Sequence, residues 1–180
     1  MAFAINQLGK GIALASLLAA AGTAYSATDG SLGATSTGDL DVRVQIADRV
    51  QISGLDNIDF RTYAGTGELE SSDAFCVYRN GTGVYSITIS SPNADTDGFR
   101  LSDGTDFIAY SVKFNADANI TGGADVSSGV RMDGMMGSAT SLSCGGGDNA
   151  SLGVTIAENA LQAARTGIYT DTITLMVEPN

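Results

Sequence analysis

One stretch constrains this chain more than any other: residues 38–53, GDLDVRVQIADRVQIS. Leu40, Val42, Val44 and Ile46 fall on one face of an extended chain, with Asp39, Asp41, Arg43 and Gln45 on the other. Strand side chains point to alternate faces, so this alternation predicts a half-buried strand. After a polar break at Asp48 and Arg49 the same phase resumes with Val50 and Ile52. A strand with one apolar face has to join a sheet, either in its own molecule or in another.

Residues 1–26 read as an export signal. Lys10 supplies the positive charge, residues 11–21 (GIALASLLAAA) the apolar segment, and Ala24-Tyr25-Ser26 the small residues before a cleavage point. The apolar segment is too short to span a bilayer. Residues 27–47 are then a small, polar, flexible lead ending in the first strand. Residues 48–180 are one β-sandwich domain. With the signal removed, 8 Lys and Arg face 20 Asp and Glu. A surface that acidic argues against nucleic acid or anionic lipid as a partner.

The rest of the chain alternates in short runs separated by turns. Residues 56–60 (DNIDF) suggest a short strand, and residues 74–78 (AFCVY) a buried one. Asn80-Gly81-Thr82-Gly83 is a hairpin signal leading into a strand with Tyr85, Ile87 and Ile89 inward. Phe99 to Leu101 reads as an edge strand. Residues 108–114 alternate cleanly, with Ile108, Tyr110, Val112 and Phe114 inward. Residues 115–147 are rich in Gly, Ser, Asp and Met and predict loops with one or two weak strands. Leu152, Val154 and Ile156 mark another strand. Residues 158–165 fit a short helix or an extended connection. Residues 169–177 form the last strand, with Ile173, Leu175 and Val177 inward. Some seven strands and almost no helix predict an all-β, immunoglobulin-like sandwich, with a closed barrel as the competing architecture.

Cys76 and Cys144 are the two cysteines. In an exported chain an even pair predicts one disulfide, the alternative being two buried thiols.

The chain contains no histidine and no tryptophan. Serine–histidine and cysteine–histidine catalysis are therefore impossible within it. The carboxylate pairs Asp95/Asp97 and Asp103/Asp106 sit in turn sequences, where Asp is expected for backbone reasons. An enzyme is not expected, nor a cofactor or metal. Asn93-Ala94-Asp95-Thr96-Asp97-Gly98 matches the opening of a calcium loop, but position 12 is Gly104, so a hairpin tip is the preferred reading. Asn80, Asn119 and Asn149 each begin an N-x-Ser/Thr triplet.

Three segments carry a family resemblance. Residues 38–46 (GDLDVRVQI) resemble the N-terminal donor strand of the archaic chaperone–usher pilins, the spore coat protein U domain family. Residues 75–90 (FCVYRNGTGVYSITIS) resemble that family's cysteine-bearing strand and the Tyr-led strand after it. Residues 167–177 (GIYTDTITLMV) resemble its closing Gly-x-Tyr-x-Asp-Thr strand. The chain departs from the pattern near Arg49 and Val50, where family members often carry a cysteine, and has Cys144 instead.

The resemblance implies an immunoglobulin-like sandwich lacking its last strand. A periplasmic chaperone fills the gap, and the next subunit's N-terminal segment replaces it at an outer-membrane usher. Leu40, Val42, Val44 and Ile46 would be the donor residues, and Ile173, Leu175 and Val177 part of the acceptor groove. The expected product is a surface fimbria for adhesion or biofilm formation, with identical or related pilins as neighbours. The competing expectation is a self-contained secreted binding module or tip adhesin.

Overall fold

The computed structural model describes residues 26–180. The expected export signal lies outside the described residues, apart from Ser26. The chain divides after Gln45 into two units, Met1–Gln45 and Ile46–Asn180.

In the first unit, Thr28 and Asp39 form an isolated antiparallel bridge. Residues 40–45 belong to no helix or strand.

The second unit contains nine strands: β1 (Val50–Ser53), β2 (Leu69–Arg79), β3 (Val84–Ser90), β4 (Phe99–Ser102), β5 (Phe107–Asn115), β6 (Ala124–Asp125), β7 (Arg131–Met136), β8 (Ala150–Ile156) and β9 (Thr174–Pro179). One short helix, α1 (Glu158–Ala163), precedes β9. The larger sheet runs β1-β2-β8-β5-β4, with β6 added to β5, and the smaller runs β7-β3-β9. Every ladder is antiparallel. The two sheets share one core: Phe75 and Val77 of β2, Val112 and Phe114 of β5, and Val154 and Ile156 of β8 pack with Tyr85, Ile87 and Ile89 of β3. This is an immunoglobulin-like β-sandwich with open edges, not a closed barrel.

β5 follows its alternation without exception, with Ile108, Tyr110, Val112 and Phe114 buried and the residues between them exposed. β4 pairs only with β5 and is the edge strand expected.

The Asn-Gly signal at 80–83 misleads. β2 and β3 do not pair with each other; the turn carries the chain from the larger sheet to the smaller. The reason is the core. Val77 and Tyr85 are both fully buried and stand in opposite layers, which a hairpin would merge into one sheet. Gly83 fits the crossing because it holds φ at +76° and a Cβ there would lie 2.8 Å from the Gly137 carbonyl oxygen.

Residues 56–60 form no strand, although Ile58 and Phe60 pack half-buried against the core. The weak region at 115–147 supplies β6 and β7, and Met132 and Met135 of β7 turn toward the core. Cys76 and Cys144 form a disulfide 68 residues apart in sequence. It ties this loop-rich region to β2, and closing a loop of that length stabilises the fold by about 4 kcal/mol.

Candidate functional site

The site begins as a gap in hydrogen bonding. β9 pairs with β3 on one side, and β1 pairs with β2 on one side. β1 and β9 approach each other, yet among the described residues no ladder joins them. Each therefore presents a row of backbone N–H and C=O groups with no strand beside it.

The side chains along this gap carry the same signature. Leu175 pairs across to Ile89 and Val177 to Ile87, on the inward face of the smaller sheet. Ile173, Leu175 and Val177 pack against the core but stay only half-buried, as does Ile52 of β1. The inward residues of β5, with the same alternation, retain 7% exposure or less. The difference is neighbours: β5 lies between β8 and β4, whereas β9 has a strand on one side only.

Ile52 was missed as a groove candidate from sequence. Its signal was present, because it continues the even phase of the opening stretch.

The approach to β9 is pinned by one carboxylate. Asp171 Oδ2 accepts hydrogen bonds from the Tyr110 hydroxyl and from Ser91 Oγ at 2.6 Å. Its Oδ1 accepts from Asn93 Nδ2 at 3.0 Å and from the Thr172 amide at 2.8 Å. The neighbouring Thr170 exchanges two backbone hydrogen bonds, each 2.9 Å, with Ser102 of β4. So residues 169–173, expected as part of the last strand, are instead an anchored lead-in to it. Burial, reinforced by the Asp171 carboxylate, pushes the Tyr110 phenol well up, which keeps it a donor.

Leu40, Val42, Val44 and Ile46 are exposed by 73%, 89%, 82% and 71%. Four large apolar side chains in alternate positions gain nothing from that exposure.

The polar break at residues 47–49 is fastened to the body. The Arg49 amide donates to Asn80 Oδ1 at 2.7 Å, and Asn80 Nδ2 donates to the Ala47 carbonyl at 2.9 Å. Arg79, 8% exposed, donates from Nη2 to Asp48 Oδ1 at 3.1 Å.

The calcium-loop segment is committed to protein partners. Asp95 pairs with Arg100 and accepts a bond from the Asp97 amide at 2.9 Å. Among the described residues, no group of three or more His, Cys, Asp or Glu is placed to hold a metal ion. Asn149, one of the three N-x-Ser/Thr asparagines, spends its side chain on Val77, accepting at 2.8 Å and donating at 3.0 Å.

No family model matches the chain, and no curated protein matches it. Solved structures do. One is described as "Chaperone-tip adhesin complex is vital for synergistic activation of CFA/I fimbriae biogenesis"; its chain aligns with TM-score 0.51 and 14% identity over 73% of this chain and 42% of its own. The likeness is one of fold. A second is described as the CsuC–CsuE chaperone–tip adhesion subunit pre-assembly complex from archaic chaperone–usher Csu pili of Acinetobacter baumannii, with TM-score 0.47, 15% identity and coverage of 74% and 40%. This chain spans less than half the length of either matched chain. The sandwich described above is thus of a kind found in a fimbrial chaperone–adhesin complex.

Proposed function

We propose that this protein is a structural subunit of a surface fimbria, assembled by donor-strand exchange, and not an enzyme. Leu40, Val42, Val44 and Ile46 are the plugs of the donor strand. Ile173, Leu175 and Val177, with Ile52 opposite, line the groove that receives a neighbour's donor. The observation that carries this reading is the pairing of two incomplete features: an alternating apolar strand in no sheet, and a sheet edge between β1 and β9 with no strand. Strand addition answers both at once, since main-chain bonds supply affinity and alternate side chains fill pockets.

Burying the four plugs contributes roughly 6–12 kcal/mol before ordering costs. In the cell the partners are a periplasmic chaperone, an outer-membrane usher, and identical or related subunits. The destination is the cell surface, where such a fibre serves adhesion or biofilm formation.

The test is assembly of the exported chain, made together with a periplasmic chaperone. Polymers that resist cold detergent and dissociate on boiling are expected. Val44→Asp places a charge among the plugs and is expected to abolish them. Normal polymers from that variant would sink the proposal.

A further inference from the structure

Four similar plugs leave a problem of register. Val42 and Val44 are identical, and Leu40 and Ile46 are isomers. A one-residue slip is rejected because it would turn Asp41, Arg43 and Gln45 into the groove. A two-residue slip keeps three of the four plugs apolar, so pocket fit alone rejects it weakly.

We infer that residues 40–46 form a strand of fixed length, closed at both ends by folded stops, and that these stops set its register in the groove of a second copy. The inference rests on the donor-strand reading above.

The first stop is the closed loop 28–39. Thr28 and Asp39 exchange both backbone hydrogen bonds, each at 2.9 Å. The closure depends on two glycines. A Cβ on Gly30 would lie 2.0 Å from Ser36 Oγ and 2.9 Å from the Thr37 carbonyl oxygen; on Gly38 it would lie 2.9 Å from the Thr28 carbonyl oxygen. Paired chains stand about 4.8 Å apart, so the loop is two chains wide. A site for one missing strand admits one chain. Insertion therefore halts with Asp39 outside and Leu40 as the first plug.

The second stop is the fastening of residues 47–49. Asn80 grips the Ala47 carbonyl and the Arg49 amide, and Arg79 grips Asp48. Sliding the strand two residues toward its C-terminal side would put Asp48 in a pocket and break that grip. The segment between the two stops has seven residues, or about 23 Å at 3.3 Å per residue. β3, the strand that pairs with β9, also has seven residues.

Inter-subunit cross-linking tests the inference. Leu175→Cys is combined in turn with Val42→Cys, Val44→Cys or Ile46→Cys in the full chain, and linked peptides are mapped by mass spectrometry. In the otherwise unaltered chain one donor position is expected to link to residue 175. Gly38→Val, which prevents loop closure, and Asn80→Ala, which releases Ala47, are each expected to add a second linked position two residues away. Gly30→Val repeats the first test at a separate site. A single unchanged position in all three variants, or several positions without them, overturns the inference while leaving donor-strand exchange standing. Absence of any intermolecular link in the unaltered background overturns the donor-strand reading itself.

Discussion

The Tyr110 hydroxyl donates to the Asp171 carboxylate across 61 residues of sequence, joining β5 of the larger sheet to the lead-in of β9 in the smaller. Ser91 and Asn93 converge on the same carboxylate, so one side chain fixes where β9 begins. Removing it strands the Tyr110 and Ser91 hydroxyl donors, while Asn93 Nδ2 keeps the Thr170 carbonyl at 3.3 Å; a donor left unpaired and shielded from water costs about 1–3 kcal/mol. Asp171→Ala is expected to destabilise the fold by about 3 kcal/mol, and Tyr110→Phe by about 1 kcal/mol. Urea unfolding of both single variants and the double variant checks this. Strict additivity would show that the contact carries no coupling.

Leu175 and Met176 are neighbours in sequence on opposite faces of β9. Met176 is 50% exposed, while Leu175 faces the proposed groove. Leu175→Asp is expected to prevent polymerisation, and Met176→Asp to leave it intact. Detergent-resistant polymers on a cold gel are the readout. Equal behaviour of the two variants would contradict the assignment of the groove face.

Loss of the disulfide is expected to be costly in the isolated chain. Cys76→Ser with Cys144→Ser removes the loop closure and about 4 kcal/mol of stability. A matching fall in the denaturation midpoint is expected when the unaltered chain is reduced. Equal midpoints with and without reductant would show that β2 holds residues 138–149 without the bond.

Acid sensitivity is expected to trace in part to Asp133. Its carboxyl is held below the usual aspartate range, chiefly by the Arg131 guanidinium and then by Ser86. A folded pKa below the unfolded value contributes stability that is complete above the unfolded pKa and is lost as pH falls through the folded one. The Tm difference between the unaltered chain and Asp133→Asn should therefore be largest near neutrality. It should shrink as pH drops below about 4, the unfolded aspartate value. A difference independent of pH would mean that Asp133 acts only through packing.

Much of the sandwich could be read from period-2 patterns, because a strand buried on one face writes its burial into alternate residues. β5 is the clearest case and β8 another. What alternation does not encode is the partner. The turn at 80–83 has hairpin chemistry, yet it crosses between sheets because Val77 and Tyr85 have to face each other from opposite layers. β7 was faint in sequence because Asp133 and Gly134 interrupt its alternation. The anchoring role of Asp171 could not be read from its place in the closing strand pattern, since its donors lie up to 80 residues away. The alternation of Ile173, Leu175 and Val177 marked them as inward, but not as half-buried, because that depends on β9 having a strand on one side only.

The crossing at 80–83 also governs when the domain can be finished. β3 has no partner in the chain before it; its neighbours are β7 and β9, and β9 begins at Thr174. The β2–β8 ladder likewise waits for residues 150–156. Contacts so distant in sequence form late and slowly. A partly made chain holds apolar strands with nothing to pair against: the larger sheet is incomplete until β8 has been synthesised, and the smaller until β9 has.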